Sequence, residues 1–288
     1  MDKPSYELII RPQKRAIATT DILRDLLISF HVDPLRIVQE ECENASTVSV
    51  HFDSDRDAER LAVNLRRLKM RAVKVSVLRR PAADWAERWK VGWKPFVLTR
   101  RFCVIPLWQR SRSCPAGKEP VFLDTTNAFG TGLHETTRFS AQLVDGLVGK
   151  FSSFLDVGTG SGILAIVAAK MGVKDVTAID IDPEAVRVAR ENFRVNRLPS
   201  VHVLAADIGN YAPQRMFDLV AANLVTWDLV SFRNRILTLV KPGGHLVVSG
   251  VSIKNLSFFR EHFRTKQLRM LKLKRGREWA AFLFQKRV

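Results

Sequence analysis

The sequence has little cysteine and no long apolar run, and each shortage excludes a class of protein. Its three cysteines, Cys42, Cys103 and Cys114, are scattered without a CxxC spacing, which argues against a disulfide framework and a structural zinc site. No run of about 18 apolar residues occurs, so we expect no membrane span. Charged residues interrupt the amino-terminal segment, so no secretory signal is indicated. We therefore expect a cytoplasmic protein.

Acidic residues are also scarce relative to basic ones. Lys and Arg number 46 against 29 Asp and Glu, which gives a formal net charge of +17. The excess is greatest at residues 241–288, where twelve basic residues accompany two acidic ones, whereas residues 121–240 are almost neutral. Such a basic region favours a polyanionic partner through counterion release, but it also serves as a solubility feature. Composition leaves both interpretations open.

The first 80 residues have the pattern of a small α+β domain. Apolar periodicity predicts a strand, a helix, two strands, a helix and a strand, over residues 5–11, 19–30, 35–38, 47–52, 54–68 and 72–78. The order βαββαβ is that of a ferredoxin-like domain. Because nothing in residues 1–80 has a catalytic pattern, we interpret them as a substrate-recognition domain or a structural cap.

Residues 81–120 are predicted to form a linker that contains a helix and a strand. Trp85, Trp89 and Trp93 are four residues apart, so a helix would place them on one face, where packing is the commoner role. Residues 96–108 have the apolar content of a strand. Residues 109–119 are polar and basic, which indicates a loop.

The rest of the chain, residues 121–288, has the pattern of an α/β cofactor-binding domain. From residue 150 short apolar strands alternate with helical stretches, which predicts βαβ units in a doubly wound parallel sheet. The last two strands, over residues 268–273 and 278–284, are joined by four residues and indicate an antiparallel hairpin. Such a hairpin fits a seven-stranded Rossmann-like methyltransferase sheet better than a dehydrogenase.

A glycine-rich segment, residues 156–162, follows the first of these strands and opens a helix. Gly158 and Gly160 allow a tight turn and let backbone N–H groups approach a ligand. The third glycine, Gly162, comes one position too early for the dinucleotide motif GxGxxG, and no Gly-Lys-Ser/Thr follows as in a P-loop. The segment therefore predicts a different nucleotide-like cofactor, although a simple strand-to-helix turn has the same glycines.

Acidic residues follow the next two predicted strands. Asp180 lies 22 residues after Gly158, where an acid can accept both hydroxyls of a ribose, and we assign it to the cofactor site together with Ile181. Asp182 precedes a proline and has the pattern of a helix N-cap. Asp207 is suited either to accept from an adenine amino group or to cap its own loop. A ribose alone does not separate NAD from other nucleoside cofactors.

Two further segments complete the predicted site. Asn223 ends the fourth strand, at the crevice where open α/β sheets bind ligands, and its amide is suited to the catalytic task of orienting an amine. A helix is predicted to begin near Glu135, which places Thr136 or Thr137 to contact a cofactor carboxylate. His134 precedes it, and a lone loop histidine is more often structural than catalytic. No His/Asp/Glu set has metal-ligand spacing, so we predict no metal.

Taken together, these segments resemble the PrmA family, the methyltransferases of ribosomal protein L11. The resemblance rests on Asp84 and Trp85 with Trp89, residues 106–108, residues 128–132 with His134, Thr136 and Thr137, residues 160–166, residues 180–183 and residues 222–223. It implies S-adenosyl-L-methionine as cofactor, with contacts at Thr137, Gly158, Asp180 and Asn223. It also implies a protein amine as acceptor, at a lysine or the N-terminus of a ribosomal protein, presented by the amino-terminal domain.

Two alternatives stay open at this point. The first is methylation of RNA or of a small molecule: the basic carboxyl-terminal region favours an RNA contact, whereas no Asn-Pro-Pro-aromatic motif for base amines follows the fourth strand. The second is a non-catalytic, ribosome-associated cofactor-binding module that acts through Lys272, Lys274, Arg275 and Arg277. Retention of every predicted cofactor position argues against this second alternative.

Overall fold

A computed structural model describes most of the chain. The described residues are 5–12, 23, 27, 32, 37–42, 45–52, 54–67, 73–80, 94–124 and 132–288. The chain consists of two compact units, Met1–Trp93 and Lys94–Val288. The division falls within the segment that was predicted to be a linker, and the described residues from Lys94 onward belong to the second unit. The predicted tryptophan helix lies outside the described residues.

The first unit contains a four-stranded antiparallel sheet. Its elements are β1 (Ser5–Pro12), β2 (Ile37–Cys42), β3 (Ala45–Phe52), helix α1 (Asp55–Arg67) and β4 (Val73–Arg80). The strand order β2-β3-β1-β4, with all neighbours antiparallel, is that of the predicted ferredoxin-like domain. Leu61 and Leu65 of α1 are buried in one core with Leu8 of β1. Leu23 and Leu27 are helical and share that core, and the remainder of the predicted helix over 19–30 lies outside the described residues.

A small three-stranded sheet opens the second unit. It contains β5 (Phe96–Val97), β6 (Phe102–Pro106) and β7 (Glu119–Leu123), with β6 between the other two. The single strand predicted over residues 96–108 is therefore wrong in detail. A turn interrupts it, because the backbone N–H groups of Leu98 and Thr99 both donate to the carbonyl of Phe102. Strand β7 is a feature that the sequence pattern did not reveal.

The main sheet of the second unit has seven strands. They are β8 (Ser153–Val157), β9 (Asp175–Asp180), β10 (His202–Ala205), β11 (Phe217–Asn223), β12 (Val240–Ser252), β13 (Leu268–Arg275) and β14 (Trp279–Lys286). Their order is β10-β9-β8-β11-β12-β14-β13, and only β14 runs antiparallel to its neighbours. The predicted α/β fold with a terminal antiparallel hairpin is thereby confirmed.

Helices cover both faces of this sheet. They are α2 (Glu135–Asp145), α3 (Ile163–Lys170), α4 (Pro183–Val195), α5 (Thr226–Ser231), α6 (Arg233–Leu239) and α7 (Leu256–Phe263). Helices α2 to α4 contribute to one buried core, and α5 to α7 contribute to a second core on the other face. Every residue of β8 is buried, as expected for a central parallel strand that is covered on both sides. No helix in the described part of the chain is both long and apolar enough to cross a membrane.

Candidate functional site

The predicted site residues lie together at the carboxyl ends of the central strands of the seven-stranded sheet. Strands β8, β9 and β11 are neighbours and parallel, so Gly158, Asp180 and Asn223 lie at or just beyond their carboxyl ends. The chain crosses from β8 to β9 on one side and returns to β11 on the other, which makes the gap between β8 and β11 the topological switch point. Open α/β sheets bind ligands in this crevice.

The glycine turn is held against strand β9. The backbone N–H groups of Gly158 and Thr159 donate to the carbonyl of Ile179 at 2.9 and 3.0 Å. Gly158 has a φ of +68°, and a Cβ there would lie 2.4 Å from Cδ2 of Leu224. Glycine is therefore required at this position both by the backbone conformation and by the close approach of the Asn223 loop.

Asp180 connects the glycine turn to the start of α4. Its Oδ2 accepts the backbone N–H of Gly160 at 2.8 Å, and its Oδ1 accepts that of Asp182 at 3.0 Å. Because an ionised carboxylate has about four lone-pair sites, each oxygen can still accept a ribose hydroxyl. The neighbouring Ile181 is 71% exposed, which is unusual for a large apolar side chain and provides a flat apolar surface beside the acid. The fixed carboxylate and this surface suit a nucleoside.

Asp182 has the structural role that the sequence indicated. Its Oδ1 accepts the backbone N–H of Glu184 at 2.9 Å, and Pro183 is the first residue of α4. Asp207 also caps a turn, since its Oδ1 accepts the N–H of Gly209 at 2.8 Å. The preceding residue, Ala206, donates its N–H to the carbonyl of Asp180. Asp207 therefore belongs to a loop that is tied to Asp180, and its predicted adenine contact stays a prediction.

Asn223 and Thr137 form the opposite wall of the crevice. The amide Nδ2 of Asn223 donates to Oγ1 of Thr137 at 3.4 Å. Thr137 is buried in the first turn of α2, and Asn223 is half-buried at the end of β11. This contact is long for a hydrogen bond, and it favours the amide orientation in which Nδ2 faces Thr137.

The start of α2 is fixed by two side chains. His134 is the N-cap, and its imidazole accepts the backbone N–H of Thr136. Burial lowers the pKa of His134, so the ring is neutral and can accept. The buried hydroxyl of Ser249 in β12 donates to the carbonyl of Thr136 at 3.0 Å. His134 therefore has the structural role that sequence reasoning favoured, whereas Ser249 was missed.

Gly250, which follows Ser249, lets the Asn223 loop pack against β12. Its φ is +88°, and a Cβ there would lie 1.9 Å from the carbonyl oxygen of Leu224. The hydroxyl of Thr226 donates to the carbonyl of Gly250 at 3.3 Å, on the far side of the same loop. A glycine inside a strand indicates a close backbone approach, so this contact had a signal in the sequence that was not used.

Asp156 is a buried acid at the base of the glycine turn. Burial raises its pKa to about 7, the charge of Asp180 acts in the same direction, and the hydrogen bond from Thr159 opposes them. That bond joins Oγ1 of Thr159 to Oδ2 of Asp156 at 2.7 Å. Asp156 is therefore protonated far more readily than an ordinary aspartate and supports the turn from within.

The chemistry of these groups fits one cofactor class. A carboxylate for a diol, an apolar surface for a flat base, a glycine turn and an amide–hydroxyl pair together match S-adenosylmethionine, which joins a nucleoside to an amino acid. Among the described residues no three His, Cys, Asp or Glu side chains are grouped as a metal ion would require. The sheet order and this site define a class I S-adenosylmethionine-dependent methyltransferase.

The chain belongs to the PrmA family, whose model is described as ribosomal protein L11 methyltransferase and matches residues 16–287. The ribosomal protein L11 methyltransferase of Pelobacter propionicus is 35% identical over 208 residues, covering 70% of this chain and 67% of that protein. The one from Geobacter sulfurreducens is 37% identical over 202 residues, covering 70% and 66%. The chain thus spans about two thirds of the length of these relatives.

A solved structure agrees with this assignment. The crystal structure of a ribosomal protein L11 methylase from Lactobacillus delbrueckii subsp. bulgaricus has a TM-score of 0.63 and 25% identity, and it covers 68% of this chain and 100% of its own. The predicted family, fold class and cofactor are confirmed. The individual contacts predicted for Thr137, Gly158, Gly160, Asp180, Ile181, Asp207 and Asn223 stay predictions.

Proposed function

We propose that this protein transfers methyl groups from S-adenosylmethionine to amines of a large-subunit ribosomal protein of the L11 type, at lysine side chains or the N-terminus. The observation that carries the proposal is the oriented amide of Asn223, which stands at the switch point beside the glycine turn. The relatives are named as methyltransferases of ribosomal protein L11. An amide suits a neutral amine because it offers an acceptor without a charge.

The proposed role of Asn223 is to orient the attacking amine. Its Nδ2 is engaged with Thr137. Its Oδ1 is therefore the atom that accepts an N–H of the amine and aligns the nitrogen lone pair. When bound, the cofactor supplies a methyl group that is already activated on a sulfonium. Positioning is then the main task of the protein, and good alignment of reacting groups lowers barriers substantially.

The amine must be neutral before it attacks. A free lysine has a pKa of about 10.4, and a partly desolvated crevice lowers it. Among the residues that the structure describes, we find no side chain placed to act as the base, because His134 caps α2 and Asp156 is buried within the glycine turn. We therefore assign deprotonation to solvent and to the low polarity of the crevice.

We infer two partner surfaces outside the crevice. The ferredoxin-like domain, predicted over residues 1–80, presents the protein substrate, and the second unit, Lys94–Val288, contains the catalytic crevice. The basic region, residues 241–288, contacts ribosomal RNA. Lys274 takes no direct part in that contact, since its Nζ donates to Oε1 of Gln142 at 2.6 Å and lies over the ring of Phe139. Lys272, Arg275 and Arg277 are exposed.

Incubation of the protein with a cell lysate and S-adenosylmethionine labelled on its methyl group tests the proposal. We expect label in a ribosomal protein, and far slower labelling with Asn223→Ala. Label in RNA or in small molecules would replace the proposal with the corresponding alternative. Cofactor binding without label in any fraction would favour the non-catalytic module.

A further inference from the structure

A basic groove lies near the amino-terminal ends of the parallel strands, whereas the cofactor site lies at their carboxyl ends. It consists of two adjoining depressions of about 670 and 480 Å³, which share Lys286, Arg287 and Val288. The end of α6, the start of β13 and the end of β14 surround it. Gly243 in its wall precedes Ser249, beside the crevice, by six strand residues, or about 20 Å. The groove is therefore separate from the reaction site.

Three of the groove's four cationic side chains pair with no residue in the described part of the chain. The side chains of Lys266, Arg269 and Arg287 are exposed and form no hydrogen bond or ion pair with any residue that the structure describes. Lys286 is fixed in the wall, because its Nζ donates to the carbonyls of Leu237 and Val240 at 2.9 Å each. Among the described residues, four cationic side chains and no acidic side chain line the two depressions, and this excess of basic side chains favours a polyanion.

The uncharged side chains that line the groove favour RNA over an acidic protein as its partner. Asn234, Thr238 and Gln267 have side chains of the kind that hydrogen-bond phosphate and sugar oxygens, and the described lining residues include no aromatic side chain. The core of a protein–protein interface is usually rich in aromatics and depleted of charge. Surfaces that bind nucleic acid are polar and strongly positive. The described lining therefore offers no platform for base stacking and favours contacts to the backbone.

We propose that this groove binds the phosphodiester backbone of RNA without reading its sequence. Lys266, Arg269 and Arg287 each neutralise one phosphate, and the neutral side chains contact sugar and phosphate oxygens. This placement leaves the carboxyl edge of the sheet free for the methyl acceptor. The inference rests on the proposed RNA contact and not on the proposed methyl transfer.

Binding of the whole protein to a fluorescent 20-nucleotide oligouridine, followed by anisotropy over a range of salt concentrations, tests the proposal. The groove variant carries Lys266→Gln, Arg269→Gln and Arg287→Gln. The matched control carries Arg112→Gln, Lys174→Gln and Arg190→Gln, which remove the same charge from exposed, unpaired side chains elsewhere in the second unit.

The groove variant is expected to lose about tenfold or more in affinity at low salt. Its slope of log affinity against log salt falls by about 2, because each phosphate contact on a single strand contributes about 0.7. The control keeps an affinity close to that of the parent protein, and both variants methylate the protein acceptor at the parent rate. Failure of the proposed methyl transfer would therefore leave this measurement intact.

Two results would overturn the proposal. One is equal loss of RNA binding in the groove variant and the control, which would assign the affinity to net charge alone. The other result has two parts: poly-glutamate at equal charge concentration displaces the RNA, and the groove variant loses as much affinity for poly-glutamate as for RNA. Together they would indicate that the groove binds an acidic protein surface. Circular dichroism spectra of both variants should match the parent, since all six side chains are exposed.

Discussion

The amide of Asn223 donates to the hydroxyl of Thr137 across 3.4 Å, although the two residues are 86 positions apart in the chain. This bond joins the end of β11 to the first turn of α2. Helix α2 is itself tied to β12, through the bond from Ser249 to the carbonyl of Thr136. The orientation of the proposed catalytic amide therefore depends on three elements that fold around the switch point.

Replacing Asn223 with alanine is expected to reduce kcat for protein methylation by about 100-fold, because misplacement of a reacting group has losses of that order. Affinity for S-adenosylmethionine should fall much less. Steady-state rates and calorimetry separate the two effects. Thr137→Val, which removes only the hydroxyl that holds the amide, should lower kcat by a smaller factor. A fully active Asn223→Ala protein would refute the assignment.

Replacing Asp180 with alanine is expected to weaken S-adenosylmethionine binding by at least about tenfold in calorimetry, equivalent to about 1.4 kcal/mol. The substitution removes the ribose acceptor and also the support of the Gly160 backbone. Asp182→Ala is the control, since it deletes only the N-cap of α4. It should lower the free energy of unfolding by about 1 kcal/mol and leave affinity unchanged. Unchanged affinity in Asp180→Ala would exclude the ribose contact.

Gly250→Ala is expected to lower the free energy of unfolding by about 2–4 kcal/mol, because the new Cβ meets the carbonyl of Leu224 in a left-handed backbone conformation. The displaced loop should also weaken cofactor binding. Gly149→Ala is a matched control, since Gly149 has a φ of +70° and nothing within 4 Å of the added Cβ. It should lower stability by only about 1–2 kcal/mol, the intrinsic cost of that conformation. Equal denaturation midpoints for the two variants would contradict the packing argument.

The buried Asp156 gives stability a pH dependence of known sign. Its pKa is about 7 in the folded protein and about 3.9 when unfolded, so the folded state binds the proton more tightly. Its contribution is fully present below about pH 4 and is lost as pH rises through about 7, at about 1.4 kcal/mol per unit of pKa difference.

Asp156→Asn, which mimics the protonated acid, should remove that dependence. We expect urea denaturation to show the variant gaining stability relative to the parent between pH 5 and pH 8. Other titrating groups, such as the partly buried His245, are common to both proteins and cancel in the comparison. Parallel stability curves for parent and variant over this range would show that Asp156 is ionised in the folded protein.

Much of the fold was predictable because its signals are local. The Asp182-Pro183 pair marks the start of α4 by capping chemistry that involves adjacent residues only. The alternation of apolar strands and helices, and the short connection between β13 and β14, are likewise recognisable from short stretches of sequence. The glycine turn and Asp180 were identified because their spacing along the chain reflects adjacent parallel strands.

The features that escaped prediction depend on residues far apart in the sequence. Strand β7 is held by side chains at the end of α4. Oδ1 of Asn196, the C-cap of α4, accepts the N–H of Phe122, and Oδ1 of Asn192 accepts the N–H of Asp124, just after the strand. The contact between Lys274 and Gln142 joins positions 132 residues apart. No local pattern reveals such pairs. Lys274 was therefore grouped with Lys272, Arg275 and Arg277 as a charge available to a partner, whereas the structure pairs it with Gln142.

The most direct test of the central claim is intact-mass analysis of the purified L11-type ribosomal protein from the same source, after incubation with this protein and S-adenosylmethionine. We expect mass increases in multiples of one methyl group, mapped by fragmentation to lysine or N-terminal amines. The increase should be about 100-fold slower when Asn223→Ala replaces the parent. An unmodified ribosomal protein, under conditions where calorimetry shows that the cofactor is bound, would contradict this claim.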